Sequence, residues 1–150
     1  YDRQNGLTIV GGYKINFREF EWYERIKQSS LFPMIAWFPF MISDNLEISF
    51  KYRYSGGLPY TSKKYNYLVR KWYVESSQNI NESRSNYYSR LDLMILRRFN
   101  FKKINVTTFL DVQNIFNRDN EWEKIYLEDG TYTMSYQYKQ TPIMGLIIEF

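Results

Sequence analysis

The sequence predicts an all-β protein: an antiparallel transmembrane β-barrel segment of about five to seven strands, not closed by this chain alone. Three observations predict it. Apolar and polar residues alternate over five separated runs, each about as long as a tilted membrane strand needs to be. The last run carries its apolar row to the final residue, where a terminus in water tends to fray. Aromatic residues make up 20% of the chain while mean hydropathy is only −0.55. Alternating strands with Tyr- and Trp-rich girdles produce such a balance, and so would a Tyr-rich soluble β protein or an aromatic stacking surface for nucleic acid.

Each run follows from the opposite pointing of successive strand side chains. The first, Leu7 to Phe17, sets Leu7, Ile9, Tyr13, Ile15 and Phe17 against Thr8, Lys14 and Asn16. Gly11 and Gly12 interrupt it and predict a bulge or a close backbone approach. The second sets Leu46, Ile48, Phe50, Tyr52 and Tyr54 against Glu47, Ser49, Lys51 and Arg53. The third, Tyr87 to Phe99, opposes Leu91, Leu93 and Ile95 to Arg90, Asp92 and Arg98. In the fourth, Ile104 to Phe116, Ile104, Val106, Thr108, Leu110 and Val112 oppose Asn105, Thr107, Asp111 and Gln113. The fifth, Pro142 to Phe150, gathers Met144, Leu146, Ile148 and Phe150 on one face.

The connections alternate between short and long. Asn100 to Lys103 reads as a tight turn, whereas 56–86 and 117–140 are long and polar. The latter is expected to hold a hairpin at Glu128-Asp129-Gly130, because Asp-Gly suits a two-residue reversal. Residues 18–45 read as an interfacial or periplasmic insert: a short helix around Glu19 to Gln28, then the apolar stretch Leu31 to Ile42. Pro33 and Pro39 disfavour a paired central strand there, although an extra hairpin is the rival. Five strands cannot close a membrane barrel, whose smallest single-chain form has about eight. An open sheet in lipid leaves backbone groups unpaired, so these strands would be an arc of a larger ring.

Several classes are excluded by composition. No segment approaches the ~18 apolar residues of a membrane helix. The chain starts at Tyr1 without Met or a signal peptide, which suggests a processed or truncated product. With no Cys and no His, it lacks thiolate ligands, a cysteine nucleophile and the commonest general base. There is no glycine-rich phosphate cradle. The reading is therefore not an enzyme, with no catalytic residue, no metal ligand and no cofactor. The +4 net charge is dispersed, as on a solvated surface.

Four stretches in order carry a family likeness. They are Tyr52-Arg-Tyr-Ser-Gly-Gly-Leu-Pro-Tyr-Thr61; Ser89-Arg-Leu-Asp-Leu-Met94, continuing to Arg97, Arg98 and Phe99; Phe109-Leu-Asp-Val-Gln-Asn-Ile-Phe-Asn117; and Gly145 to Phe150. Together they resemble the C-terminal barrel segment of TonB-dependent outer-membrane receptors and transporters. Ile143 departs from the family's usual polar residue, and 18–45 has no counterpart in it. The resemblance implies a barrel of ~22 strands in the outer membrane of a Gram-negative bacterium, with a plug domain absent from this chain. It also implies import of a scarce solute such as a ferric chelate, vitamin or glycan. The partners implied are the remaining barrel and plug, an inner-membrane TonB-type energy complex, the barrel-assembly machinery, outer-membrane lipid and lipopolysaccharide, and a surface lipoprotein.

Three sets of residues are singled out. Gly145, Ile148 and Phe150 would form the assembly signal that the resemblance implies. Lys51, Arg53, Arg90, Asp92, Arg98, Asp111 and Gln113 would face the lumen, where wall-mounted charges pair across neighbouring strands. Tyr60, Tyr65, Arg70, Trp72, Trp122 and Tyr126, on the long loops, are the candidate ligand or partner contacts, because loops carry specificity on a rigid wall. Asn114 and Asn117 are expected to bond backbone groups at a strand end. The basic and aromatic interleaving from Lys63 to Tyr73 resembles a single-strand binder but reads as a surface loop, so no nucleic acid is expected. Two other functions fit the same residues. One is a structural or partner-docking barrel of an envelope machine. The other is a Tyr-rich β-sandwich binding carbohydrate or nucleic acid.

Overall fold

The computed structural model describes residues 3–36, 42–75 and 80–150. Five long strands lie where the alternation puts them: β1 (Gly6–Asn16), β2 (Asn45–Ser55), β7 (Tyr88–Asn100), β8 (Asn105–Gln113) and β11 (Thr141–Glu149). They form one sheet in the order β1-β2-β7-β8-β11. Three two-stranded sheets stand apart from it: β3 (Pro59–Tyr60) with β6 (Ser83–Arg84), β4 (Lys64–Asn66) with β5 (Lys71–Tyr73), and β9 (Glu121–Tyr126) with β10 (Tyr132–Tyr136). Two short helices, α1 (Glu21–Lys27) and α2 (Phe32–Ala36), follow a 3-10 turn at Phe17–Glu19.

The chain divides into two compact units. One comprises Val10–Lys51, Asp92–Gln113 and Pro142–Phe150. Its buried core is Tyr23, Phe32 and Phe99, with Phe17, Ile26, Ile42 and Val106 packed against it. The rings meet edge to face, Tyr23 on Phe32 at 6.3 Å and Phe32 on Phe99 at 6.2 Å. Helix α1 has only seven residues, too few to be stable alone in water. Acidic residues in its first turn and basic ones in its last suit the helix dipole. Tertiary anchoring does more. Tyr23 Oη donates to Asp44 Oδ1 at 2.9 Å, and Lys27 Nζ reaches the same oxygen at 2.5 Å. The Asn100 amide donates to Asp44 Oδ2, and Lys27 also donates to the Asn100 carbonyl at 3.1 Å. Asp44 is fully buried, so these donors replace the water it has lost. Burial first, and the hydrogen bond to Asp44 second, push the Tyr23 phenol above its ordinary pKa.

Close approaches explain three glycines in this unit. A Cβ on Gly11 would lie 2.7 Å from the Phe50 ring, and one on Gly12 would lie 3.1 Å from Ser49 Cβ. The doublet thus marks a close approach between β1 and β2. On β11, a Cβ on Gly145 would fall 2.2 Å from the Phe109 ring of neighbouring β8. Antiparallel β7 and β8 pair from Leu93↔Val112 to Asn100↔Asn105, so the turn at Phe101–Ile104 is as tight as expected.

The other unit comprises Tyr1–Ile9, Tyr52–Leu91 and Asn114–Thr141. Asparagines tie its connections together. Asn114 Nδ2 donates to the Arg118 and Tyr138 carbonyls at 2.9 and 3.3 Å, and Asn117 Oδ1 accepts from the Gln140 amide at 3.1 Å. Both therefore bond backbone groups, as the sequence suggested. Asn120, not anticipated, pairs its side-chain amide with both backbone groups of Ser89 at 3.0 Å.

The expected fold class is corrected. The chain is not an all-β arc of a transmembrane barrel but a mixed α/β fold, with its antiparallel strands split among four separate sheets. Its buried core joins helix and strand side chains, which no single-sheet wall would contain. Alternation located the long strands but did not say what their rows would meet. Much of the apolar row remains exposed, including Ile9, Phe50, Met144 and Leu146. Among the described residues no helix is long and apolar enough to cross a membrane, which does not bear on strands. The outer-membrane placement is withdrawn with the fold class, since the described residues form no closed barrel sheet. The plug, the TonB-type complex, the assembly machinery, lipopolysaccharide and a surface lipoprotein lose their support with it. In the 18–45 insert, α1 fits the expected helix and Phe32 opens α2 rather than a hairpin, while 37–41 lie outside the described residues.

Candidate functional site

Two small sheets, β3–β6 and β9–β10, bring separated aromatics into one cleft of about 790 Å³. Tyr60 comes from β3, Trp122 and Tyr126 come from β9, and Leu58, Met134 and Ile125 supply apolar wall. Trp122, Lys124 and Tyr126 occupy alternate positions of β9 and share a face, and Glu121, Glu123 and Ile125 between them also border the cleft. The hairpin behind them turns through Glu128-Asp129-Gly130, closed by Leu127 N donating to Thr131 O at 2.9 Å. It is therefore a three-residue loop, not the expected two-residue reversal. Gly130 has φ +87°, the left-handed conformation that such loops place at a glycine. Asp129 Oδ1 accepts from the Thr131 amide and hydroxyl at 2.9 and 2.7 Å, which lowers its pKa below the ordinary carboxylate value.

A ladder of rings braces the cleft wall. Tyr126 lies 4.6 Å from Trp72, Trp72 lies 5.2 Å from Tyr65, and Tyr65 lies 5.0 Å from Tyr67. Trp72 Nε1 donates to the Leu127 carbonyl at 2.7 Å, and Tyr65 Oη donates to the Glu128 carbonyl. Such ring pairs add about 0.5–1.5 kcal/mol each beyond the area they bury. Trp122 differs: it leaves 56% of its surface exposed.

The charges in the lining are held in place. Lys124 Nζ donates to Tyr60 Oη at 2.7 Å and lies 4.3 Å over that ring, and Lys63 Nζ lies 5.1 Å over Tyr126. The hydrogen bond to Tyr60 is the main cause that raises Lys124 above the ordinary ammonium pKa. Glu121 accepts from the Asn86 amide at 2.9 Å, and Glu123 completes the set. Two lysines and two glutamates leave the lining formally neutral.

Of the contacts expected from sequence, Tyr60, Trp122 and Tyr126 line the cleft, and Tyr65 and Trp72 brace it from behind. Arg70 does not join them: it sits exposed at the β4–β5 turn with φ +50°. Lys63, Lys124, Glu121 and Glu123 were missed, and the alternate spacing of Trp122, Lys124 and Tyr126 was the signal available. The residues expected to face a lumen lie on β2, β7 and β8. Asp92 is buried, Lys51 is exposed, Arg98 Nε donates to Thr107 at 3.3 Å, and Gln113 donates to Asp111 at 3.1 Å. Arg90 is also engaged within the protein, and Arg53 borders a second cleft. In the supposed assembly signal, Gly145 makes room for Phe109, while Ile148 and Phe150 are exposed. Among the described residues, no group of three or more acidic side chains could hold a metal ion.

No protein-family model, curated protein or solved structure matches the chain. The likeness to TonB-dependent receptors is thus carried by short stretches alone, and the four-sheet α/β fold contradicts it. The importer function that the likeness implied is withdrawn with it.

Proposed function

We propose that this protein is a glycan-binding module whose aromatic cleft receives a sugar ring on Trp122. The exposed indole carries the reading, because it is an open apolar face beside fixed polar groups within a cleft of ligand size. A pyranose offers C–H faces to such a ring and hydroxyls to its rim. Tyr60 and Tyr126 enlarge the platform, and Glu123, Thr61 and the lysines supply hydrogen-bonding groups around it. A nucleic acid would need a basic surface to attract its phosphates, and this lining is neutral. Binding is the expected role here, and the sugar should be recovered intact after incubation.

A glycan array followed by calorimetry on the best hit tests the reading. Trp122→Ala should weaken that affinity at least tenfold, about 1.4 kcal/mol, without changing the melting temperature. Equal affinity in this variant, or no binding across neutral and acidic glycans, would refute it.

A further inference from the structure

Beside the aromatic cleft, the same unit carries a second one of about 370 Å³, and Trp122 lines both. Its chemistry is different. Arg3, Arg53, Tyr54, Tyr88 and Gln137 contribute to its lining, and among the described residues no acidic one does. Arg3 is positioned by its neighbours, lying 5.3 Å over the Tyr88 ring and donating to Ser55 Oγ. Arg53 is engaged within the protein and also borders this recess with its cationic guanidinium. Two planar cationic forks in one recess match the paired oxygens of an anionic group.

We infer that the ligand is an acidic glycan, whose carboxylate or sulfate occupies the Arg3–Arg53 cleft while an adjoining ring stacks on Trp122. This rests on the glycan reading of the aromatic cleft and adds to it the class of sugar. The shared indole carries the connection, because one ligand spanning both recesses must pass across it. The neutral lining of the first cleft and the cationic lining of the second divide the labour. The first tolerates an uncharged sugar face, and the second selects for negative charge.

The test compares uronic-acid oligosaccharides with their methyl esters, which keep the ring and remove the charge. Sulfated neutral oligosaccharides of equal length form a further arm. Full-length chain should bind the acid at least tenfold more tightly than the ester, and this advantage should shrink as salt rises. Arg3→Gln with Arg53→Gln should bring acid and ester to similar affinity. Should the double variant melt early, Arg3→Gln alone should still lower the acid-to-ester ratio. Tight binding of the sulfated arm in place of the uronate would also support an anion site and assign sulfate to it. Equal affinity for acid and ester and no gain from sulfate, with Trp122→Ala still weakening binding, would overturn the anion site and leave the glycan reading standing. Absence of all glycan binding would end both.

Discussion

The two units use the same residue types for opposite purposes. In the helical unit, Tyr23 and Phe32 are at most 5% exposed, and the phenol closes a buried network on Asp44. In the hairpin unit, Trp122 leaves 56% of its surface open and Tyr60 and Tyr126 line a cleft. Charge follows the same division. Asp44 is sealed away with Lys27, whereas the charges of the cleft stay beside open rings. The comparison teaches that aromatic content alone does not separate core from surface. What decides is whether a ring's neighbours come from several packed elements or from the edge of a small hairpin.

The largest expected effect lies in the buried network. Asp44→Ala should cost about 3–5 kcal/mol, because it leaves a partly buried ammonium, a phenol and an amide without their acceptor. Thermal or urea unfolding measures this, and a loss below 1 kcal/mol would show that the network is dispensable. Tyr23→Phe removes one donor only and should cost about 1 kcal/mol.

A smaller effect separates two adjacent glycines in the hairpin unit. A Cβ on Gly57 would stand 1.8 Å from the Ser85 carbonyl oxygen, whereas one on Gly56 would meet nothing nearer than 3.7 Å. Gly57→Ala should therefore push β3 from β6, cost about 1–3 kcal/mol, and weaken glycan binding through Tyr60. Gly56→Ala should do neither. Equal behaviour of the two variants would remove the close approach as the reason for Gly57.

The smallest effect is a pH response at the β9–β10 turn. Asp129 has a depressed folded pKa, so its support of the turn is present above the ordinary carboxylate range. That support is lost as pH falls through the folded value. Carbon-13 NMR should find its carboxyl titrating below the ordinary carboxylate range, and Thr131→Val should move it back upward. An unshifted Asp129 in the parent protein would contradict the turn geometry.

Much of the secondary structure was legible. Leu46 to Tyr54 alternates cleanly because a strand has period two, and β2 (Asn45–Ser55) spans the same residues. Asn100 to Lys103 and Gly130 marked turns for local steric reasons. Of the cleft, Tyr60, Trp122 and Tyr126 were visible as loop aromatics. Lys124 was not, because its role comes from Tyr60, 64 positions away in sequence. Asp44 was equally hidden, since nothing near it announces that Tyr23 and Asn100 will converge on it.

By itself, the sequence determined where the five long strands would run, where the chain would turn between β7 and β8, and that a short helix would follow Phe17. These depend on neighbouring residues and on the sterics of one backbone. Tertiary structure decided how the strands would divide into sheets, which aromatics would be buried, and which would remain open around a cleft. Those outcomes depend on contacts between distant segments, and an alternating row looks the same in sequence whether it meets lipid, another element or solvent.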